Sequence, residues 1–285
     1  MNTLAVDVGG TKFTVALFQQ DQMIRRESRA TDREGGRDWM LSQLASLLEQ
    51  WRQEGLQWQR CGAGFGGPVL FERQMVALST HVGGWGDFPL VEWLRETAAV
   101  PVVMDNDANA GALGEAVHGA GRGFDPLFYM TLSTGIGGGI VIGGRVYRGA
   151  DSWAGEIGHA PISESGPECL CGARGCYERI CSGLWLERDH GKPAETLLRD
   201  AAFAARYAID LARGLKLAIM LLNPARIVIG GGISKAGDRL FAPLRAELRR
   251  QITEWSRARI DVVPAALGDD SVVYGALALA AQEFP

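Results

Sequence analysis

The chain has 285 residues, 47% of them hydrophobic and 22% charged, with a formal net charge of -4. This length suits one large domain or two of ordinary size, and the composition excludes a disordered chain. The mild acidity gives no general pull toward nucleic acid, and no apolar run approaches the roughly 20 residues of a membrane span. Residues 1–6 enter a strand-like run without a targeting pattern, so a cytoplasmic protein with no nucleic-acid or membrane partner is expected. Five cysteines, four of them between positions 169 and 181, point to thiolate chemistry in a reducing compartment rather than to disulfides.

In chain order, residues 3–8 predict a strand, Gly9-Gly10 a turn and residues 13–18 a second strand, with a third beyond Gln20-Asp21. Trp39, Leu41, Leu44, Leu47, Leu48 and Trp51 recur at helical spacing and predict a helix over 36–54. Residues 101–105 read as a short buried strand that ends in Asp105-Asn106-Asp107. The opening pattern then returns: a strand at 127–132, a Gly-rich turn at 133–139, and a strand at 140–142 that turns at Gly143-Gly144. Two such units suggest two similar lobes. A long helical region at 193–222 follows, with Cys181 buried at the start of a helix before it. Then come a strand at 226–229, the turn Gly230-Gly231-Gly232, a helix at 236–253, a strand at 260–264 and a helix at 271–282. No low-complexity linker is visible, which puts a tight lobe boundary just after Asp107.

Three glycine-rich turns stand at strand ends. Asp7-Val8-Gly9-Gly10-Thr11-Lys12 lets backbone N–H groups approach an anion, with Thr11 and Lys12 adding a hydroxyl and a cation, and Asp7 able to hold Mg²⁺ through water. It lacks the spacing of a Walker loop, and a plain hairpin turn accounts for it equally well. Ser133 to Gly139 is the second turn, and Gly230 to Ser234, between a strand and a helix, the third. Three together favour nucleotide binding. His159, Cys169, Cys171 and Cys176 supply one imidazole and three thiolates, a tetrahedral set for structural Zn²⁺ with no position left open for water. Asp107 is either a general base facing the glycine turns or part of a polar helix cap. Glu156 and Glu178 flank the metal cluster as polyol ligands or as solvated carboxylates.

These residues resemble the ROK family of repressors, open reading frames and kinases, within the actin-like sugar kinase superfamily. The resemblance runs from the DVGGTK stretch at Asp7 to the DDSVVYGA stretch ending at Ala276. Its most specific part is Glu156-Ile157-Gly158-His159 through CLCGARGCYE, ending at Glu178. It implies an α/β, actin-like (ribonuclease H-like) ATPase fold, with two lobes around an ATP/sugar cleft. The N-terminal lobe would be 1–107, with the C-terminal helix at about 271–285 packing back on it, and the C-terminal lobe 108–270 with the zinc motif.

The resemblance further implies ATP and Mg²⁺ as cofactors and Asp107 as the base that deprotonates a sugar hydroxyl. Gly67, Asn106, Glu156, His159 and Glu178 would contact the sugar, and His159 would also bind zinc. Asp7, Gly9, Gly10, Thr11 and Lys12 would serve the first phosphate loop, Thr134, Gly135 and Gly137 the second, and Gly231 and Gly232 would lie near adenosine. A homodimer is implied as well. Family repressors carry a helix-turn-helix segment ahead of the first loop, and only six residues precede Asp7 here, which favours the kinase branch. The region after Ser182 is short for the family, and His81 stands where many members have an Asn-rich sugar-side loop. Glu156, replaced in some N-acetylmannosamine kinases, leans toward an unmodified hexose. The expected activity is phosphorylation of the 6-OH of glucose, with an N-acylhexosamine kinase and a non-catalytic sugar sensor as alternatives.

Overall fold

The computed structural model describes residues 1–79 and 82–285. They divide into two compact units: Met1–Gly114 with Arg148–Trp153 and Val272–Pro285, and Glu115–Tyr147 with Ala154–Ser271.

In the first unit the chain forms β1 (Asn2–Val8), β2 (Lys12–Gln19), β3 (Gln22–Ala30), α1 (Gly36–Gln53), β4 (Arg60–Phe65), the short pair β5 (Val69–Leu70) and β6 (Met75–Val76), α2 (Leu90–Ala98), β7 (Val102–Asn106) and the start of α3 (Asp107–His118). The main sheet has the order β3-β2-β1-β4-β7; β1, β4 and β7 are parallel, while β2 and β3 join by antiparallel hairpins. Alternation along β1 sorts its side chains between two faces. Leu4, Val6 and Val8 enter a core with Met40, Leu44, Leu47 and Trp51 of α1 and Leu90 and Leu94 of α2. Ala5, on the opposite face, packs with Ala16, Phe18 and residues Val273, Ala276 and Leu277 of the C-terminal helix Ser271–Glu283. Small residues let that helix approach closely. A Cβ at Gly62 would overlap the Ala276 carbonyl, and one at Gly275 would overlap the Ala110 carbonyl of α3.

The second unit repeats the plan. It holds β8 (Leu127–Leu132), β9 (Ile136–Ile142), β10 (Arg145–Val146), α4 (Tyr177–Cys181), α5 (Gly183–His190), α6 (Ala194–Leu197), α7 (Ala201–Leu222), β11 (Arg226–Gly230), α8 (Asp238–Gln251) and β12 (Val262–Pro264). Its sheet order is β10-β9-β8-β11-β12, again a hairpin followed by parallel strands. Phe128, Met130 and Leu132 pack with Leu211, Leu215 and Ile219 of α7 and with Phe241, Leu244 and Leu248 of α8. A buried carboxylate, Glu115, fastens the loop ahead of the C-terminal helix. It accepts from the N–H groups of Ala120, Ala266 and Leu267 at 2.7, 3.1 and 2.9 Å and from the Ser271 hydroxyl at 2.8 Å.

Several elements differ from the sequence expectation. Gly137, Gly138 and Gly139 belong to β9 rather than to a turn, because a Cβ at Gly138 would lie 2.6 Å from the Gly155 carbonyl and crowd the Phe128 ring. The 193–222 helix is broken: Asp200 accepts from Ala202 N at 2.8 Å and caps a separate α7. Cys181 is buried but ends α4 rather than starting a helix. A 3₁₀ turn, Gly232–Ala236, precedes α8.

Replacing Gly275 by Ala should cost about 2 kcal/mol or more, since a backbone carbonyl cannot step aside for a methyl group. Gly86→Ala, where nothing lies within 4 Å of the added carbon, should be near neutral. Thermal melts of the two variants check this, and equal melting temperatures would contradict the packing described.

Candidate active site

Sheet register determines where the functional residues emerge. Val8 pairs with Phe65 and Phe65 with Asn106, so β1, β4 and β7 end level with one another. Ligands of open parallel sheets collect at such carboxyl ends. Gly9, Gly66 and Asp107 are the next residues out. A Cβ at Gly66 would meet the Gly9 Cα at 3.4 Å, the Val8 carbonyl at 3.4 Å and Asp107 Oδ2 at 3.5 Å. The first glycine turn, the Gly66-Gly67 turn and the Asp107 carboxylate are thus assembled within one unit.

Of the two roles left open by the sequence, the structure places the helix cap chiefly on Asn106. Asn106 is the helix cap: its Oδ1 accepts from Ala108 N at 2.9 Å and Asn109 N at 3.3 Å, and its Nδ2 donates to the Gly67 carbonyl at 2.9 Å. That leaves one amide N–H for a ligand. Asp107 is the first residue of α3; its Oδ1 accepts from Ala108 N at 2.8 Å, and its Oδ2 lies on the Gly66 side.

The first loop is held by residues that sequence reasoning missed. The Thr31 hydroxyl donates to the Gly9 carbonyl at 2.9 Å, Arg33 Nε to the Gly10 carbonyl at 3.0 Å and Thr31 N to the Thr11 carbonyl at 2.9 Å; Gly9 N donates to the Lys12 carbonyl at 3.1 Å. All four carbonyls are occupied, while among the described residues the N–H groups of Gly10 and Thr11 have no partner. A loop with acceptors turned away and donors free is an anion cradle. Asp7 is the penultimate residue of β1 and Lys12 the first of β2, paired with Ala30. The signal for Thr31 was its place at the end of the strand beside this turn, which motif spacing does not register.

The second unit builds its loop in the same way. The Ser133, Thr134 and Gly135 carbonyls accept from Gly183 N at 2.7 Å, Leu184 N at 3.2 Å and Ser133 N at 3.0 Å, while Thr134 N and Gly135 N have no partner among the described residues. Glu178 closes the loop: its Oε2 accepts from Ile136 N at 2.8 Å, and a Cβ at Gly135 would sit 2.6 Å from that oxygen. Gly137 lies beyond the loop, in β9 opposite Thr131. In the third turn, Gly231 has φ of +85° and its Cβ would lie 2.5 Å from the Leu132 carbonyl, so packing alone demands glycine there. Gly232 has no such neighbour; a Cβ there would meet only Ser133 Oγ, at 3.8 Å. Of the pair, only Gly232 has room for a side chain.

Glu156 precedes a 3₁₀ turn, Ile157–His159. Burial pushes its carboxyl above the usual carboxylate range; the His159 imidazole pulls it down and Glu178 pushes it up, so the three groups share one electrostatic environment. The ligand atoms of His159, Cys169, Cys171 and Cys176 all lie within 4.8 Å of one another. The Cys171 and Cys176 sulfurs are 3.6 Å apart, close to the edge of a tetrahedron with metal–sulfur bonds of about 2.3 Å. The loop is tied by Cys169 N to the Ala173 carbonyl at 2.7 Å and Gly172 N to the Cys169 carbonyl at 2.9 Å. This donor set and geometry fit one divalent ion. His81 lies outside the described residues.

Two duplicated sheets with phosphate-type hairpins define the α/β actin-like ATPase class. The family model described as "ROK family" matches residues 3–283, and the chain belongs to the ROK family. It is 33% identical to the glucokinase of Thermotoga maritima, with 98% of this chain and 97% of the relative covered. Among solved structures it is similar to a ROK hexokinase from Thermus thermophilus, at TM-score 0.86 and 32% identity over 99% of each chain. It is also similar to a ROK family glucokinase from Streptomyces griseus in complex with glucose and AMPPNP, at TM-score 0.86 and 28% identity, covering 99% of this chain and 100% of that one.

The five thiols should differ sharply in reactivity. Cys171 is exposed, Cys181 is buried, and burial pushes the Cys61 thiol up to about 12. In chelator-treated native protein at pH 8, iodoacetamide should modify Cys171 at least tenfold faster than Cys61 or Cys181, as read by peptide mass spectrometry. Comparable rates at the three would contradict the burial described.

Proposed function

We propose that this chain is an ATP-dependent sugar kinase that phosphorylates the 6-OH of glucose. The observation that carries the reading is the Asp107 carboxylate, held beside Gly66 and Gly9 at the level ends of three parallel strands. Full-length similarity to the glucokinases of Thermotoga maritima and Streptomyces griseus supports it.

In the proposed reaction Asp107 accepts the proton of the sugar hydroxyl as its oxygen bonds to the γ-phosphorus, while the bond from that phosphorus to the β,γ-bridging oxygen breaks and ADP departs. Gly10 N, Thr11 N, Thr134 N and Gly135 N offer four donors for phosphate oxygens, with Gly9 and Lys12 completing the first loop. Gly231 and Gly232 serve the adenosine. Gly137, a strand residue, supports the second loop from β9. Mg²⁺, when bound, neutralises phosphate charge; Asp7 is the carboxylate we assign to it, acting through water. Sugar recognition is assigned to the remaining N–H of Asn106, to the Gly66-Gly67 turn and to Glu156, His159 and Glu178.

His159, Cys169, Cys171 and Cys176 would hold a structural Zn²⁺. Four protein ligands would leave no open position, so these residues would hold the ion for rigidity and to fix the His159 tautomer rather than to activate water. Five free cysteines support a reducing, cytoplasmic setting. The exposed Leu217, Met220 and Leu221 at one end of α7 support a homodimer.

A coupled ADP-release assay over a panel of hexoses and N-acylhexosamines, with ATP or polyphosphate as donor, tests the reading. Glucose with ATP should give the highest kcat/KM. No turnover with any sugar would sink the kinase assignment, and preference for an N-acylhexosamine would reassign the substrate. Asp107→Asn should lower kcat by at least 10³-fold while glucose affinity stays within about threefold; substantial residual activity would remove Asp107 from the role of base. Zinc removal should weaken glucose binding and lower the melting temperature together. A folded, zinc-free protein with unchanged glucose affinity would refute the coupling assigned to His159.

A further inference from the structure

We infer that the ion pair between the buried Asp105 and the half-buried Arg148 is a positioning device for Asp107, through which Arg148 governs turnover. The inference rests on the reading of Asp107 as the base.

Asp105 is 1% exposed and stands two residues before Asp107. Its Oδ1 accepts from Asn106 N at 2.8 Å and from Asn109 Nδ2 at 2.9 Å. Its Oδ2 accepts from Arg148 Nε and Nη2, each at 2.8 Å. One carboxylate therefore grips the backbone just before Asp107 and the side chain two residues after it. Asn109 depends on that grip: its buried Oδ1 has no partner, so among the described residues Asp105 alone orients its amide. Accepting four N–H donors suits the ionised carboxylate. Burial pushes Asp105 toward protonation, and the Arg148 guanidinium is the leading influence opposing it.

Arg148 is itself held in place. Its guanidinium lies 3.5 Å from the centroid of the Phe71 ring. Phe71 N donates to Ser152 Oγ at 3.1 Å, and Gln74 Nε2 donates to the Phe71 carbonyl at 2.7 Å. The Gln74 amide also pairs with the open edge of β7, accepting from Met104 N at 2.8 Å and donating to the Met104 carbonyl at 3.2 Å. Arg148 and Ser152 both belong to the six-residue segment Arg148–Trp153, which joins the first unit while its chain neighbours belong to the second. These two contacts attach the segment to the strand that delivers Asp107.

A purely structural ion pair would affect melting but not the chemical step, and this difference supplies the test. Arg148→Lys keeps the charge without the planar fork. Asp105→Leu/Arg148→Met removes both charges of the pair, so it should fold even if Arg148→Met alone, which leaves the buried carboxylate unpaired, does not. With saturating ATP and glucose, well below each melting temperature, the double variant should lose about 10- to 100-fold in kcat, the penalty of a base displaced by about an ångström. Its glucose affinity, read by calorimetry, should stay within threefold, and Arg148→Lys should fall between the double variant and the parent. Parental kcat in the folded double variant overturns the positioning role while leaving Asp107 as the base. A parent protein inert toward every sugar overturns both.

Discussion

Backbone pairing of Val8 with Phe65 and of Phe65 with Asn106 brings three chain segments out of one sheet at the same height. Each leaves carrying a different group: a turn whose Gly10 and Thr11 N–H groups have no partner among the described residues, a turn of bare glycine backbone, and a carboxylate at the start of a helix. Small residues on the opposite face sustain this arrangement. Ala5 and Gly62 let the C-terminal helix lie against the strands, and Gly275 lets the same helix touch the backbone of α3. The position of Asp107 therefore depends on atoms that are missing as much as on those present.

Both glycine hairpins follow one electrostatic logic with different parts. In each, the loop carbonyls are occupied and two successive N–H groups have no protein partner among the described residues. The first loop is held by Thr31 and Arg33, just past the end of β3, the second by the start of α5 and the Glu178 carboxylate. Such preorganisation spares a bound anion the cost of reorienting dipoles. It also places a residue read as a sugar ligand in direct contact with a residue read as a phosphate ligand, Glu178 against Gly135.

Much of this was legible in the sequence where local chemistry dictates local form. Strand–turn–strand alternation, the 3.6-residue spacing of α1 and the Cys/His cluster all appeared with nearly their observed bounds. Three of the four metal-type ligands fall within eight positions, and the fourth stands ten residues ahead, so short-range spacing reveals them. What escaped depends on distant partners. Thr31 and Arg33 matter because β3 runs beside the first turn, and Arg148 because its segment returns to β7 from more than forty residues away. The glycines of β9 read as a turn because composition cannot tell a flexible loop from a strand pressed against another backbone. Short helices such as α2 and α5 offer too few turns for periodicity to stand out.

The metal-loop end of the second unit carries one more implication. The Tyr177 hydroxyl donates to the Leu211 carbonyl at 2.8 Å, its ring rests on Gly214 of α7, and the Tyr207 hydroxyl donates back to the Cys181 carbonyl at 2.7 Å. These ties staple α4 to α7 on either side of the excursion that carries α5 and α6. The staples make the length of that excursion nearly irrelevant to Glu178. Loop closure grows only slowly in cost with added residues, so insertions and deletions there are an open register for evolutionary change. The chain between the staples can be rebuilt through that register while the Glu178 carboxylate stays where it is.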